Sequence, residues 1–264
     1  HDILDFTFPI FKKLYSEFYY AVVKASPDLW GYIYKKGRDN QKSKSSLLKL
    51  FDHFNYKKYL QTIDKLQPAA IVCTHFLPYL AISEELRKPS WRIPVFSVPT
   101  DYDVHALWIS PHVTKFYTAT DEVAWTLLSH GIAEERIMVT GIPVMPQFAK
   151  RTGQPTARKE FGLSPSAFTI MILSGGYGIG VIDELVPSIA TFVSSHERKH
   201  IQLIVVCGKN PALYDKLQRV RFPSNISVKL FQYVSFVDKL MDCADVLITK
   251  SGGLTVSEAL AKYL

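Results

Sequence analysis

Apolar positions along the chain follow two rhythms. Residues 3–25 place Ile3, Phe6, Ile10, Leu14, Phe18, Ala21 and Val22 at mostly three- and four-residue spacing, and residues 46–66 repeat it with Leu47, Leu50, Phe51, Phe54, Leu60 and Ile63. That spacing predicts two amphipathic helices, the first kinked or delayed by Pro9. The second rhythm is one of short apolar, β-branched runs. "AAIVCTH" (69–75) and "IPVFSV" (93–98) flank a predicted helix at 78–88, as in a βαβ unit with a parallel sheet. "KFYTA" (115–119), a helix at 121–130 opened by Asp121, and "RIMVT" (136–140) extend the series. After the polar stretch "AKRTGQPTARKEFGLSPSA", read as a linker, a second series begins. Strands at 168–173, 201–207, 226–231 and 245–249 alternate with helices at 181–195, 211–220 and 235–243. The class expected is α/β with doubly wound parallel sheets, whose ligands lie outside the carboxyl ends of the strands. The predicted division is a first domain at 1–148, a linker at 149–166 and a second domain at 167–264.

With 264 residues, 47% hydrophobic and 21% charged, the chain buries one large core or two modest ones. Every apolar run is interrupted before the roughly 18 to 20 residues a spanning helix needs. Cys73, Cys207 and Cys243 are odd in number, far apart and each beside an apolar run, which predicts core thiols in a reducing, cytoplasmic compartment. The opening "HDILDFTFPIFKKLY" lacks an initiator Met and the pattern of a secretory signal. Net charge is +7, divided as 18 Lys+Arg against 15 Asp+Glu up to residue 150 and 13 against 9 beyond it, so neither half is a basic tail. One segment stands out. Residues 32–60 carry Lys35, Lys36, Arg38, Lys42, Lys44, Lys49, Lys57 and Lys58 between aromatic flanks. It reads either as a solvated loop leading into a helix or as a surface for anionic lipid head groups. Nucleic acid is not expected, because basic and aromatic residues interleave only there and no recognition motif follows.

Candidate chemistry sits in the loops after the second series of strands. "SGGYGIG" follows the strand at 168–173, with Ser174, Gly175, Gly176, Tyr177, Gly178 and Gly180 leading into a helix. Glycines admit close backbone approach and a helix amino terminus offers N–H groups to phosphate. The spacing lacks the Gly-Lys-Ser/Thr of a P-loop and matches a dinucleotide fingerprint only in part. "KSGGLTVSEALA" (250–261) holds the equivalent place after the last strand. There Ser251, Gly252 and Gly253 are expected to form the turn, and "TVSE" matches a capping box between Thr255 and Glu258. In the alternative reading, Glu258 accepts hydrogen bonds from a ribose diol. No Asp-x-Asp metal signature follows a strand of the second series; Asp101 and Asp103 of "TDYD" lie in the first. No metal is expected.

"TDYDVHALW", "TGIPVMPQF", "VVCGKN" and "YVSFVDKLMDCADVLITKSGGLTVSEALA" together resemble the processive diacylglycerol glycosyltransferases and monogalactosyldiacylglycerol synthases, relatives of the enzyme that adds N-acetylglucosamine to the peptidoglycan lipid precursor. The resemblance runs across the whole chain. It implies the GT-B fold, two Rossmann-like domains facing across a cleft, both incomplete here. It implies inverting transfer of a hexose from UDP-glucose or UDP-galactose to diacylglycerol or glycosyl-diacylglycerol, with no cofactor, by a cytoplasmic protein peripheral to the inner face of an anionic membrane. Position by position, it places Tyr233 and Val234 beside the uracil, Ser174 to Gly180 near the phosphates, Ser251, Gly252, Gly253, Leu254 and Thr255 around phosphate and sugar, and Glu258 on ribose. Asp101, His105 and Trp108 would face the acceptor or the donor sugar, with Asp101 and His105 the catalytic candidates.

Two departures from the family pattern stand out. Met145 occupies a place where a basic residue is common, leaving the diphosphate to backbone N–H groups or to Lys250 or Lys209. A glycine-rich loop ending in His and a Gln-Glu pair are missing, so the chain is expected to be truncated at both ends. The peptidoglycan-precursor transferase and an inactive UDP-binding fragment are the alternatives.

Overall fold

The computed structural model describes residues 1–6, 57–178, 180–196 and 200–264, and these divide into two compact units, His1–Ile142 and Pro143–Leu264. Of the predicted helix at 3–25 only Ile3–Phe6 is described, as a 3-10 turn, and the rest of it, most of that at 46–66 and the basic segment up to residue 56 lie outside the described residues.

The first unit holds helix α1 (Lys57–Leu66), then strand β1 (Ile71–Cys73), helices α2 (Leu77–Ala81) and α3 (Ser83–Leu86), β2 (Val95–Ser97), β3 (Lys115–Thr118), α4 (Asp121–Ser129) and β4 (Ile137–Val139). All four strands are parallel, in the order β1-β2-β3-β4. Phe116 and Leu127 are fully buried in this unit's core, each contributing roughly 1.5–3 kcal/mol. Helix α4 is capped by Thr120, whose Oγ1 accepts from the Val123 N–H at 3.5 Å. Asp121 is therefore already inside the helix, where its charge favours the first turn.

The second unit contains α5 (Gln154–Glu160), β5 (Phe168–Leu173), α6 (Ile182–His196), β6 (Ile201–Val206), α7 (Pro211–Gln218), β7 (Ile226–Phe231), α8 (Val237–Cys243), β8 (Val246–Thr249) and α9 (Gly253–Ala261). Its parallel sheet runs β7-β6-β5-β8. All six residues of β6 are buried and all but Gln202 are apolar, as in a strand covered on both faces. One core cluster builds on α6 and α7 and another on α8 and α9.

The stretch expected to link the domains is a packed part of this unit. Helix α5 carries Arg158, whose side chain is 5% exposed and pairs with Asp245 at 2.7 Å. Its Nε also donates to the Cys243 carbonyl and its Nη1 to that of Pro165. The unit boundary falls after Ile142, ahead of the expected one. Cys73, Cys207 and Cys243 are free and buried, as their apolar neighbours predict.

Candidate functional site

The register of the second sheet aligns its carboxyl ends. Leu173 pairs with Val206 and with Thr249, and Val206 pairs with Phe231. The four strands thus stop at one level, and their following loops begin side by side. Between β5 and β8 the strand order reverses direction, and such a switch point opens a crevice at the carboxyl edge. The loops on either side of it are Ser174–Gly180 and Lys250–Gly252.

Backbone contacts join the loop after β5 to the loop after β6. Gly178 (φ +57°) and Gly208 (φ +63°) both lie in the left-handed region. A Cβ on Gly178 would meet the Cys207 carbonyl oxygen at 1.9 Å, and one on Gly208 would meet that of Gly176 at 2.6 Å. Across this contact the Lys209 N–H donates to Gly176 O at 2.9 Å, and Asn210 Nδ2 donates to Gly178 O at 3.1 Å. Asn210 Oδ1 meanwhile accepts from the Leu213 N–H at 3.0 Å, capping α7 ahead of Pro211. Gly208 and Asn210 were not singled out from sequence; the run Gly-Lys-Asn-Pro after an apolar strand was the available signal.

On the other side, Lys250 lies against Gly175, its Cε 3.3 Å from where a Cβ would stand. Lys209 reaches Tyr177 and Tyr233, its Nζ 5.7 and 5.0 Å from their ring centroids. Segments after all four strands therefore converge on one rim. Tyr177, Tyr233, Ser251 and Leu254 are exposed there, Gly252, Thr255 and Val234 are partly buried, and Ser174 and Gly253 are buried.

Helix α9 corrects one expectation. It starts at Gly253 with Gly252 as its cap and no side-chain cap bond, so Thr255 and Glu258 form no capping box. The paired glycines allow the turn to close three residues earlier than "TVSE" predicts, with the cap at Gly252 and not Thr255. Glu258 then sits in the second turn, partly buried, and no described residue forms a hydrogen bond or ion pair with its carboxylate. Burial raises its pKa above the ordinary glutamate value.

In the first unit, Asp101, His105 and Trp108 lie on the segment after β2. His105 caps a short 3-10 turn, Ala106–Trp108, its Nδ1 accepting from the Leu107 N–H at 3.2 Å. Burial, and next the neighbouring His75, lower its pKa to about 4. The ring is therefore neutral at pH 7 with its proton on Nε2, which suits donation to a substrate oxygen. Asp101 is exposed as a residue, yet crowding around its carboxyl, and then Asp103, raise its pKa. Trp108 does not face a ligand: it is 1% exposed, within the core of this unit. Phe76 packs edge-on against both His105 and Trp108, at 4.8 and 5.5 Å. His75, at the end of β1 and 6.0 Å from the Trp108 ring, joins this aromatic group. Its place after an apolar strand was the signal that sequence reasoning passed over. No group of three His, Cys, Asp or Glu among the described residues is placed to hold a metal ion.

Comparison with known proteins agrees with this architecture. Residues 1–144, more than half of the chain, match the Monogalactosyldiacylglycerol (MGDG) synthase family. Residues 169–264 match the Glycosyltransferase family 28 C-terminal domain. Among curated relatives, the processive diacylglycerol beta-glucosyltransferase of Bacillus subtilis (strain 168) is 32% identical over 256 residues, 97% of this chain and 60% of that protein. The chain thus spans about 60% of the length of the curated relatives it matches. Among solved structures, the S. aureus MnaA-UDP co-structure aligns with TM-score 0.55 at 14% identity, covering 81% of this chain and 60% of that one. A glycosyltransferase from Rickettsia africae ESF-5 aligns with TM-score 0.51 at 16% identity, over 84% and 62%. These likenesses show the fold, the GT-B class of α/β protein with two parallel sheets. By sequence and fold, the chain belongs to the monogalactosyldiacylglycerol synthase family and carries a glycosyltransferase family 28 C-terminal domain.

Proposed function

We propose that the second unit binds the UDP moiety of a UDP-sugar at the rim of its sheet, and that the protein transfers the hexose to diacylglycerol or a glycosyl-diacylglycerol with inversion. The observation that carries this reading is the meeting of Lys250 with Gly175 across the β5/β8 switch point, which brings both glycine loops to one crevice. Diphosphate oxygens would lie on N–H groups of Ser174–Gly180 and of the α9 amino terminus, where developing negative charge on departing UDP is stabilised. Tyr233 and Val234 would flank the uracil, and Glu258, whose carboxylate has no partner among the described residues, would accept from both ribose hydroxyls. Asp101, exposed and with a raised pKa, suits proton abstraction from the acceptor hydroxyl, while His105 donates to an oxygen of the acceptor. The names of the curated relatives support diacylglycerol as acceptor. In this reading the donor is the only small molecule required, and the protein works at an anionic membrane surface from the cytoplasmic side.

Thermal-shift titration with UDP and ADP, together with transfer of labelled hexose from UDP-glucose and UDP-galactose to diacylglycerol vesicles, tests the proposal. Stabilisation by UDP over ADP, lost in Glu258→Ala, is expected. Equal response to both nucleotides would remove the uracil assignment, and undiminished stabilisation by UDP in Glu258→Ala would remove the ribose one.

A further inference from the structure

The sequence left Lys209 and Lys250 as alternative cations for the diphosphate, and the setting of Lys209 is unusual. Its backbone is clamped: the N–H bonds to Gly176 O, and the flanking Gly208 and Asn210 both press on the glycine loop. From that anchored point the side chain runs between two aromatic rings, with Nζ 5.7 Å from the Tyr177 centroid and 5.0 Å from that of Tyr233. The rings belong to residues 54% and 58% exposed. Among the described residues, no carboxylate forms an ion pair with Lys209 or with Lys250.

An ammonium over exposed rings is held weakly, and far less firmly than one hydrogen-bonded to a phosphate oxygen. Its four-carbon stem lets the head swing while the backbone stays in place. A phosphate arriving at Gly175–Gly178 would come to the very loop that the Lys209 backbone already touches.

Building on the donor-site reading, we propose that Lys209 is a ligand of the nucleoside diphosphate, held between Tyr177 and Tyr233 in the empty protein. When the diphosphate binds, the ammonium moves onto it and uncovers the two ring faces for the base. One residue thereby couples phosphate binding to base binding and favours a nucleoside diphosphate over a nucleoside.

Calorimetric titration of the whole chain and its Lys209→Met variant with UDP and with uridine tests this, with melting temperatures taken alongside. Lys209→Met keeps the aliphatic stem and is expected to bind UDP about tenfold more weakly or worse, while its uridine affinity is unchanged or higher. Lys209→Arg is expected to stay within about threefold of the unsubstituted chain for UDP. Unchanged UDP affinity in Lys209→Met, or an equal loss for UDP and uridine whether or not the fold is damaged, overturns the assignment and leaves the donor site standing. Failure of the unsubstituted chain to bind UDP overturns both.

Discussion

At the residue scale, the glycines of the β5 loop differ in what holds them. Gly178 has no room for a Cβ and a positive φ, whereas Gly176 has nothing within 4 Å of one and no such φ. Gly178→Ala is expected to lower stability by roughly 2–5 kcal/mol, from strain and overpacking together. Gly176→Ala is expected to leave the melting temperature unchanged and weaken UDP by about tenfold, because only an approaching ligand needs that space. Chemical denaturation and UDP titration of the two variants separate the roles. Glu258 carries a pH signature. Its pKa is raised by burial, so its ionisation works against folding: the cost is absent below the ordinary carboxylate pKa and appears as pH rises through the raised value. Glu258→Gln is therefore expected to be the more stable chain at neutral pH and equally stable in acid. For UDP the sign reverses, since the diol needs the carboxylate. The variant should bind about 10- to 100-fold more weakly at neutral pH, and lack the acid-side fall in affinity of the unsubstituted chain. The glycines were legible from sequence as a loop; which of them were locked by backbone was not, because the locking atoms belong to Cys207 and Gly208, some thirty residues away.

At the element scale, β5 and β7 were read from sequence with their observed bounds, because a nearly continuous apolar run in β5 and alternation of apolar with polar residues in β7 leave a strand few alternatives. Helix α9 was misplaced at its start. "TVSE" carries a strong local capping signal, but the turn after β8 is set by paired glycines and by β8 ending level with its neighbours. Helix α5 was missed, since its apolar content is low and its partners are distant: Arg158 meets Asp245, and Gln154 meets the same carboxylate at 3.0 Å. A second polar clamp holds the end of α9 to α8. Lys262 Nζ pairs with Asp242 at 3.0 Å, with side chains 0% and 3% exposed, and also donates to the Lys150 carbonyl. Asp242→Ala is expected to cost roughly 3–5 kcal/mol in urea unfolding, because it strands a buried charge, and Asp242→Ala with Lys262→Met should recover much of that loss.

At the scale of the whole molecule, no helix among the described residues is long and apolar enough to cross a membrane, while net charge is +7. If a lipid is the acceptor, attraction to anionic head groups should bring the protein to it, each nearby Lys or Arg contributing about 1 kcal/mol. Flotation with vesicles is expected to show binding that grows with anionic lipid content and fades as salt rises; binding indifferent to both would remove the basic residues from that role. The interlocked turns at Gly178 and Gly208 carry a further consequence. Two backbones that already touch have given up their freedom during folding, so little ordering entropy is left to be lost when a nucleotide arrives. Recognition there should proceed at the pace of encounter and of one swinging side chain, without waiting for a loop to find its shape.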